Sequence, residues 1–194
     1  MPSLTQHREE YEGDLRGLSQ LYAYDANKAA DHCPVVCSVW EYLKAIGATE
    51  GIVDSRVHML FPGMYPAIPG WHMDEVHRDE HGILRPDLTK PKVHYLLVLD
   101  QGTGSLPIFG NLQDNSLIRP GMRYSDLKGK VLPSYQAEPE KLYRFEWHDI
   151  HRATPAKGKG WRYFLRITLD SERSPLNEIR TQTQVYLTDE NKGW

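Results

Sequence analysis

The sequence holds only two cysteines, too few for the disulfide framework of a small stapled domain. It lacks any apolar run near the roughly 18 residues that a membrane-spanning helix requires. An excess of either charge is missing too. The 23 Lys+Arg against 26 Asp+Glu give a formal net charge of -3, which argues against a general binder of phosphate backbones but leaves room for a local basic patch. No internal repeat or low-complexity segment occurs. The N-terminal stretch MPSLTQHREEYEGD is polar and shows no signal peptide, so a soluble, cytoplasmic protein is expected. What is present is ordinary globular material. Hydrophobic residues make up 40% and charged residues 25%, and a chain of 194 residues is long enough for one substantial domain spanning 1–194. The richness lies in nine histidines, eleven tyrosines, and 15 glycines with 13 prolines.

The first 50 residues read as a helical layer. Leu4 to Tyr24 is rich in helix formers, with Gly13 and Gly17 against it. A second helix is expected with Asp31 as N-cap, Pro34 in its first turn and Gly47 as its stop. Its apolar residues Val36, Val39, Trp40, Leu43 and Ile46 recur at helical spacing and mark a core face. From 51 onward, β-branched and aromatic runs predict strands at Ile52–Phe61, Lys92–Asp100, Tyr143–Trp147 and Trp161–Leu169, with a final one at Gln182–Leu187. Gly/Pro clusters separate them. Many short strands after N-terminal helices suggest a mainly β fold of sandwich or jelly-roll type, with the stretch 111–140 as a lid or loop over a site.

Two constellations carry chemistry. In PGWHMDEVHRDEH, His72 and Asp74 stand at i and i+2, so on a strand both side chains project from one face. An imidazole and a carboxylate placed so can supply two legs of a metal site, and with one distant histidine they make a 2-His-1-carboxylate facial triad. The competing reading is a solvated, charged loop, which is also the reading for His77 and His81. The second constellation is WHDIHRATPAKGKGWRYFLRITLD. There Trp161, Tyr163, Leu165 and Ile167 share one strand face, and Arg162, Phe164, Arg166 and Thr168 share the other. Two inward arginines require anionic partners, because an unpaired buried charge is costly. The alternative is an amphipathic edge strand with both arginines in water.

Together, His72-X-Asp74, a long interval, and His151 followed by Arg162 and Arg166 resemble the Fe(II)/2-oxoglutarate-dependent oxygenase superfamily. The H-x10-R-x3-R-x-T spacing is similar to its taurine dioxygenase branch. The resemblance covers about 100 residues, from Phe61 to Leu169, and the chain is shorter than typical members of that branch. It implies a double-stranded β-helix (jelly-roll, cupin-like) core at 51–194, with His72, Asp74 and His151 as metal and catalytic ligands. It further implies Fe(II), 2-oxoglutarate and O2, with ascorbate as a possible activator. Arg166 becomes the anchor for the distal carboxylate of 2-oxoglutarate, Arg162 lies nearer its keto-acid end, and Thr168 adds a hydroxyl. Thr103 or Ser105, and Tyr95 on the preceding strand, are further co-substrate candidates. His148 competes with His151, which is preferred for its spacing to both arginines.

The implied activity is hydroxylation of an unactivated C–H bond in a small or amino-acid-like molecule, releasing succinate and CO2. Asp74 argues against halogenation, for which a small residue usually frees that position for halide. Two alternatives stay open: a cupin-like metalloenzyme, for which the usual His-X-His pair is missing, and a non-catalytic jelly-roll ligand-binding protein. A nucleic-acid substrate gets no encouragement from the net charge. Cys33 and Cys37, on one helical face, are expected to be reduced thiols rather than a zinc pair. Arg119, Arg123 and Lys128 could grip an anion from the 111–140 stretch, or be a solvated face.

Overall fold

A computed structural model describes residues 13–81, 83–85, 92–113 and 118–188. In chain order they form β1 (Leu21–Tyr22), β2 (Tyr24–Asp25), α1 (Ala26–Ala30), α2 (Pro34–Ala45), β3 (Ile52–Leu60), β4 (His77–Arg78), β5 (Leu84–Arg85) and β6 (Val93–Gln101). Then follow β7 (Ile108–Leu112), β8 (Val131–Gln136), β9 (Leu142–Glu146), β10 (Ile150–Arg152), β11 (Gly160–Leu169) and β12 (Glu178–Ile179). The protein is mainly β, and every strand pair among the described residues is antiparallel. A five-stranded sheet runs β2-β3-β11-β6-β9, and a three-stranded sheet runs β10-β7-β8. Among the described residues no helix is long and apolar enough to cross a membrane.

Strand β11 organises both faces of the larger sheet. Its Tyr163, Leu165 and Ile167 are fully buried in one core cluster with Val36, Val39, Trp40 and Leu43 of α2. Each such aliphatic side chain contributes about 1.5–3 kcal/mol by leaving water. Leu97 and Leu99 of β6 and Val53 and Val57 of β3 join the same cluster. The alternate residues of these strands face the other way, where Leu96 and Val98 meet Phe109 of β7 and Phe145 of β9 in a second cluster. The period-2 alternation of side chains thus sorts one strand set into a helix-facing core and a sheet-facing interior.

The four central strands form where the sequence puts them, and α2 buries Val36, Val39, Trp40 and Leu43 of its expected apolar face, whereas Ile46 follows the last helical residue and is exposed. Other expectations are corrected. Residues 13–24 are not helical: Leu15–Gly17 is a 3₁₀ turn, β1 pairs with β12, and β2 pairs with β3. Sheet pairing overrides helix propensity there, since it buries Leu21 completely. The rest of that expected helix lies outside the described residues. Cys33, not Asp31, occupies the N-cap of α2, while Asp31 closes α1; Gly47 ends the helical stretch at φ 103°. Gln182–Leu187 is no strand, although Tyr186 makes one bridge to Tyr65. The 111–140 stretch is not a single loop, for its described part includes the end of β7, a 3₁₀ turn at Tyr124–Leu127 and all of β8.

One glycine shapes the interior. Gly110 sits beside the irregularity in the β7–β8 pairing, and a Cβ there would lie 2.4 Å from Val131 Cγ1 and 2.8 Å from Trp71. Its missing side chain lets the Trp71 ring close over β7.

Candidate metal centre

His72 and His151 are brought together by the backbone. They form an isolated antiparallel bridge, with His72 N–H donating to His151 O and His151 N–H to His72 O, both at 3.0 Å. The segment is too short for a strand, but it alternates as one. Trp71 and Met73 enter a core cluster, while His72 and Asp74 face the opposite side. The Tyr124 hydroxyl donates to Met73 O at 2.6 Å and ties the segment down. His151 lies on β10 opposite Phe109 of β7.

One ligand atom each from His72, Asp74 and His151 lies within 4.8 Å of the other two. His72 Nδ1 is 2.8 Å from Gly70 O, and His151 Nδ1 is 3.1 Å from Asp149 O. A ring nitrogen facing a carbonyl must carry a proton, so in the neutral ring it is Nε2 that offers a lone pair to a ligand. Burial, reinforced by His151, pushes the His72 imidazole down to about 4, so it is neutral at pH 7. Burial opposes the charge of Asp74, but Arg166 and then His151 outweigh it and hold the carboxyl well below the ordinary range. Two imidazoles and one carboxylate therefore converge, and this donor set fits a first-row divalent metal. Phe109, Phe145 and the His72 ring surround His151 at centroid distances of 5.7, 5.1 and 4.5 Å and restrict its rotation.

The centre opens on a cavity of about 270 Å³ between the two sheets. Arg162 and Arg166 line it from β11, but their partners differ. Arg166 donates to Asp74 Oδ2 at 2.6 Å and to Asp54 Oδ2 at 2.9 Å. Arg162 is 4% exposed, its Nε donates to Ser105 O at 2.8 Å, and among the described residues no carboxylate lies within 4.0 Å of it. Burial pushes its guanidinium down to about 10, against the pull of Asp100.

The remaining predicted residues divide. Ser105 is buried beside Arg162 and donates to Thr154 O; Thr103 donates to Asp100. The Thr168 hydroxyl pairs with His94 Nδ1 at 3.0 Å and does not line the cavity. Tyr95 belongs to the helix-facing core, on the sheet face turned away from His72, Asp74 and His151. His148 is half exposed near Glu146, and His81 lies on the surface near Glu80. His77 on β4, Arg119, Arg123 and Lys128 are exposed and outside the cavity. Cys33 and Cys37 are free thiols.

Strand β3 also contributes to the cavity, with residues not among the expected site residues. Its Asp54, Arg56 and His58 alternate onto the cavity face, a period-2 polar pattern that IVDSRVHML displays openly. Asp54 is 3% exposed and binds Arg166, Arg173 and Arg180 at 2.9, 2.7 and 3.3 Å. Arg173 also reaches Glu75 at 2.7 Å. His94, fully buried, lies against Phe145 in a tilted ring contact at 4.9 Å.

No protein-family model matches this chain, and no curated protein does. Among solved structures, one neighbour is described as "CytC3 with Fe(II) and alpha-ketoglutarate", with a TM-score of 0.33 and 11% identity. The match covers 60% of this chain and 42% of that one, too loose a likeness to fix fold or function.

The buried histidines predict a pH response. Burial holds both His58 and His94 down to about 3, so the folded protein keeps them neutral while an unfolded histidine titrates near 6.5. A depressed folded pKa gives stability that is present above the unfolded pKa and is lost as pH falls toward the folded one. Each group is expected to remove about 1.4 kcal/mol per pH unit below pH 6.5. Urea unfolding at pH 7 and pH 5 checks this, with a shallower loss expected in His94→Gln.

Proposed function

We propose that this chain is an Fe(II)- and 2-oxoglutarate-dependent oxygenase acting on a small molecule, built as one domain on a double-stranded β-helix. The observation that carries this reading is the convergence of His72, Asp74 and His151 beside a cavity that also receives a buried guanidinium with no carboxylate partner among the described residues. His72 and His151 would hold the metal through Nε2, and Asp74 through its carboxylate. Bound iron with 2-oxoglutarate and O2 would supply oxidising power toward a C–H bond, releasing succinate and CO2.

The chain's own residues orient and shield. The carbonyls of Gly70 and Asp149 fix both imidazole tautomers. Arg166 holds Asp74 Oδ2 and so aims the carboxylate at the imidazoles. Leu96, Phe145 and Phe164 line the cavity and exclude water from the reacting end. The resemblance puts the distal carboxylate of 2-oxoglutarate on Arg166, but the ion pairs of Arg166 move our proposal to Arg162. That guanidinium is free to form a bidentate fork with a carboxylate.

Purified protein given Fe(II), ascorbate and labelled 2-oxoglutarate is expected to release succinate even without a prime substrate. Absence of both metal binding and 2-oxoglutarate turnover would overturn the reading in favour of a non-catalytic ligand-binding protein. Arg162→Ala is expected to raise the 2-oxoglutarate concentration for half-maximal release by at least about tenfold, the worth of a charged hydrogen-bond pair. Arg166→Ala should instead weaken Fe(II) binding through Asp74, and Arg152→Ala should change neither. Exchange of the first two outcomes would return the anchor to Arg166.

A further inference from the structure

The cavity carries more positive charge than its own residues balance. Six arginines line it: Arg56, Arg152, Arg162, Arg166, Arg173 and Arg180. Three carboxylates, Asp54, Asp74 and Glu75, form ion pairs with Arg166, Arg173 and Arg180. Three guanidiniums are left over, in a chain whose formal net charge is -3. Among the described residues no carboxylate lies within 4.0 Å of Arg56, Arg152 or Arg162, and two of the three have another engagement. Arg152 covers the Trp71 ring at 4.7 Å, and Arg162 Nε donates to Ser105 O.

Arg56 has none. It sits on β3 opposite Phe164 of β11, between Asp54 and His58 on the cavity face. Its guanidinium makes no hydrogen bond, ion pair or ring contact among the described residues. A half-buried cation in that position is costly without a counterion. Burial and the like charge of Arg166 depress its pKa, and the more distant pull of Asp54, Tyr186 and Asp74 does not make up for them. Iron(II) and 2-oxoglutarate, one dication and one dianion, would cancel each other and leave the surplus standing.

We infer that the cavity takes a second small-molecule anion and that Arg56 grips its oxyanion, so that the substrate carries a carboxylate, phosphate or sulfonate group. The inference rests on the oxygenase reading for the word substrate, whereas the anion site itself does not depend on bound metal. The guanidinium fork matches planar carboxylate and tetrahedral oxyanions alike, and the probes separate them.

The test titrates Mn(II)- and 2-oxoglutarate-loaded protein, without O2, with acetate, inorganic phosphate and methanesulfonate in turn. At least one probe is expected to bind saturably and to raise the thermal midpoint. In Arg56→Gln that binding should weaken at least about tenfold, with 2-oxoglutarate affinity unchanged. Arg56→Met, the second variant, removes the unpaired charge and is expected to raise the midpoint of the anion-free protein while losing the anion-induced gain. The inference is overturned if no probe binds saturably, if either variant binds anion like the wild type, or if Arg56→Met lowers the midpoint. It is also overturned if Arg56→Gln weakens 2-oxoglutarate instead, which would make Arg56 a co-substrate ligand. Failure of wild-type protein to bind Mn(II) or 2-oxoglutarate would sink the oxygenase reading alone, and the same anion titrations on metal-free protein would still decide the role of Arg56.

Discussion

His72→Ala and Asp74→Ala, each alone, are expected to abolish measurable succinate release and to weaken divalent-metal binding by more than 100-fold. Even removal of a group that merely orients a metal ligand typically costs 10–100-fold, and these changes remove the ligand itself. Two remaining donors cannot define a facial site, because a histidine pair or a single histidine with one carboxylate leaves the ion mostly to water. The protein is expected to stay folded in both variants. The His72–His151 bridge uses backbone groups, and Arg166 keeps Asp54 when Asp74 is gone. Mn(II) titration followed by succinate assay checks the prediction, with His148→Ala as the control that should resemble the wild type. Full activity in Asp74→Ala would remove the carboxylate from the site.

Asp54→Ala is expected to be the most destabilising single change in the interior, lowering the unfolding free energy by about 3–5 kcal/mol. It leaves Arg180 without a carboxylate partner and takes one from each of Arg166 and Arg173, in a cavity that is already over-supplied with positive charge. Against a typical total of about 5–15 kcal/mol, that is a large share. The effect has a pH signature. Burial opposes ionisation of Asp54, but Arg166 and Arg173 overcome it and hold the carboxyl well below its ordinary range. Its contribution is therefore complete above the unfolded value of about 3.9 and is lost as pH falls from there toward the folded value. Urea unfolding of wild type and Asp54→Ala at pH 7, 5 and 3 should give the same gap at the upper two values and a gap narrower by about 1 kcal/mol at the lowest. A constant gap down to pH 3 would show that Asp54 acts through packing rather than charge.

Much of the site was legible because alternation is a local property. The i, i+2 spacing of His72 and Asp74 predicts a shared face, and Trp71 and Met73 do go to the core while their neighbours face the cavity. The same rule applied to WRYFLRITL separates Tyr163, Leu165 and Ile167 from Arg162 and Arg166. Applied to IVDSRVHML it would have shown Asp54 and Arg56 as well. The choice of His151 over His148 also follows from spacing to the arginines, and His151 lies with His72 and Asp74 in a group that could hold a metal ion.

Partnership was not legible, because it depends on strands far apart in the chain. Arg162 and Arg166 look equivalent in sequence, four residues apart on one face. Only the register of β11 against β3 sets Arg166 opposite Asp54 and Arg162 opposite His58. Tyr95 shares β6 with His94, yet the face it occupies was fixed only by which side α2 covers. Residues 13–24 read as helix, and pairing with β12 and β3 made them extended. By itself, then, the sequence determined the mainly β character, the central strands and the three candidate ligands, since each follows from the side-chain pattern of a short segment. Tertiary structure decided which arginine is bound to carboxylates and which, among the described residues, is not, because charge pairing is set by contacts between segments that no local pattern encodes.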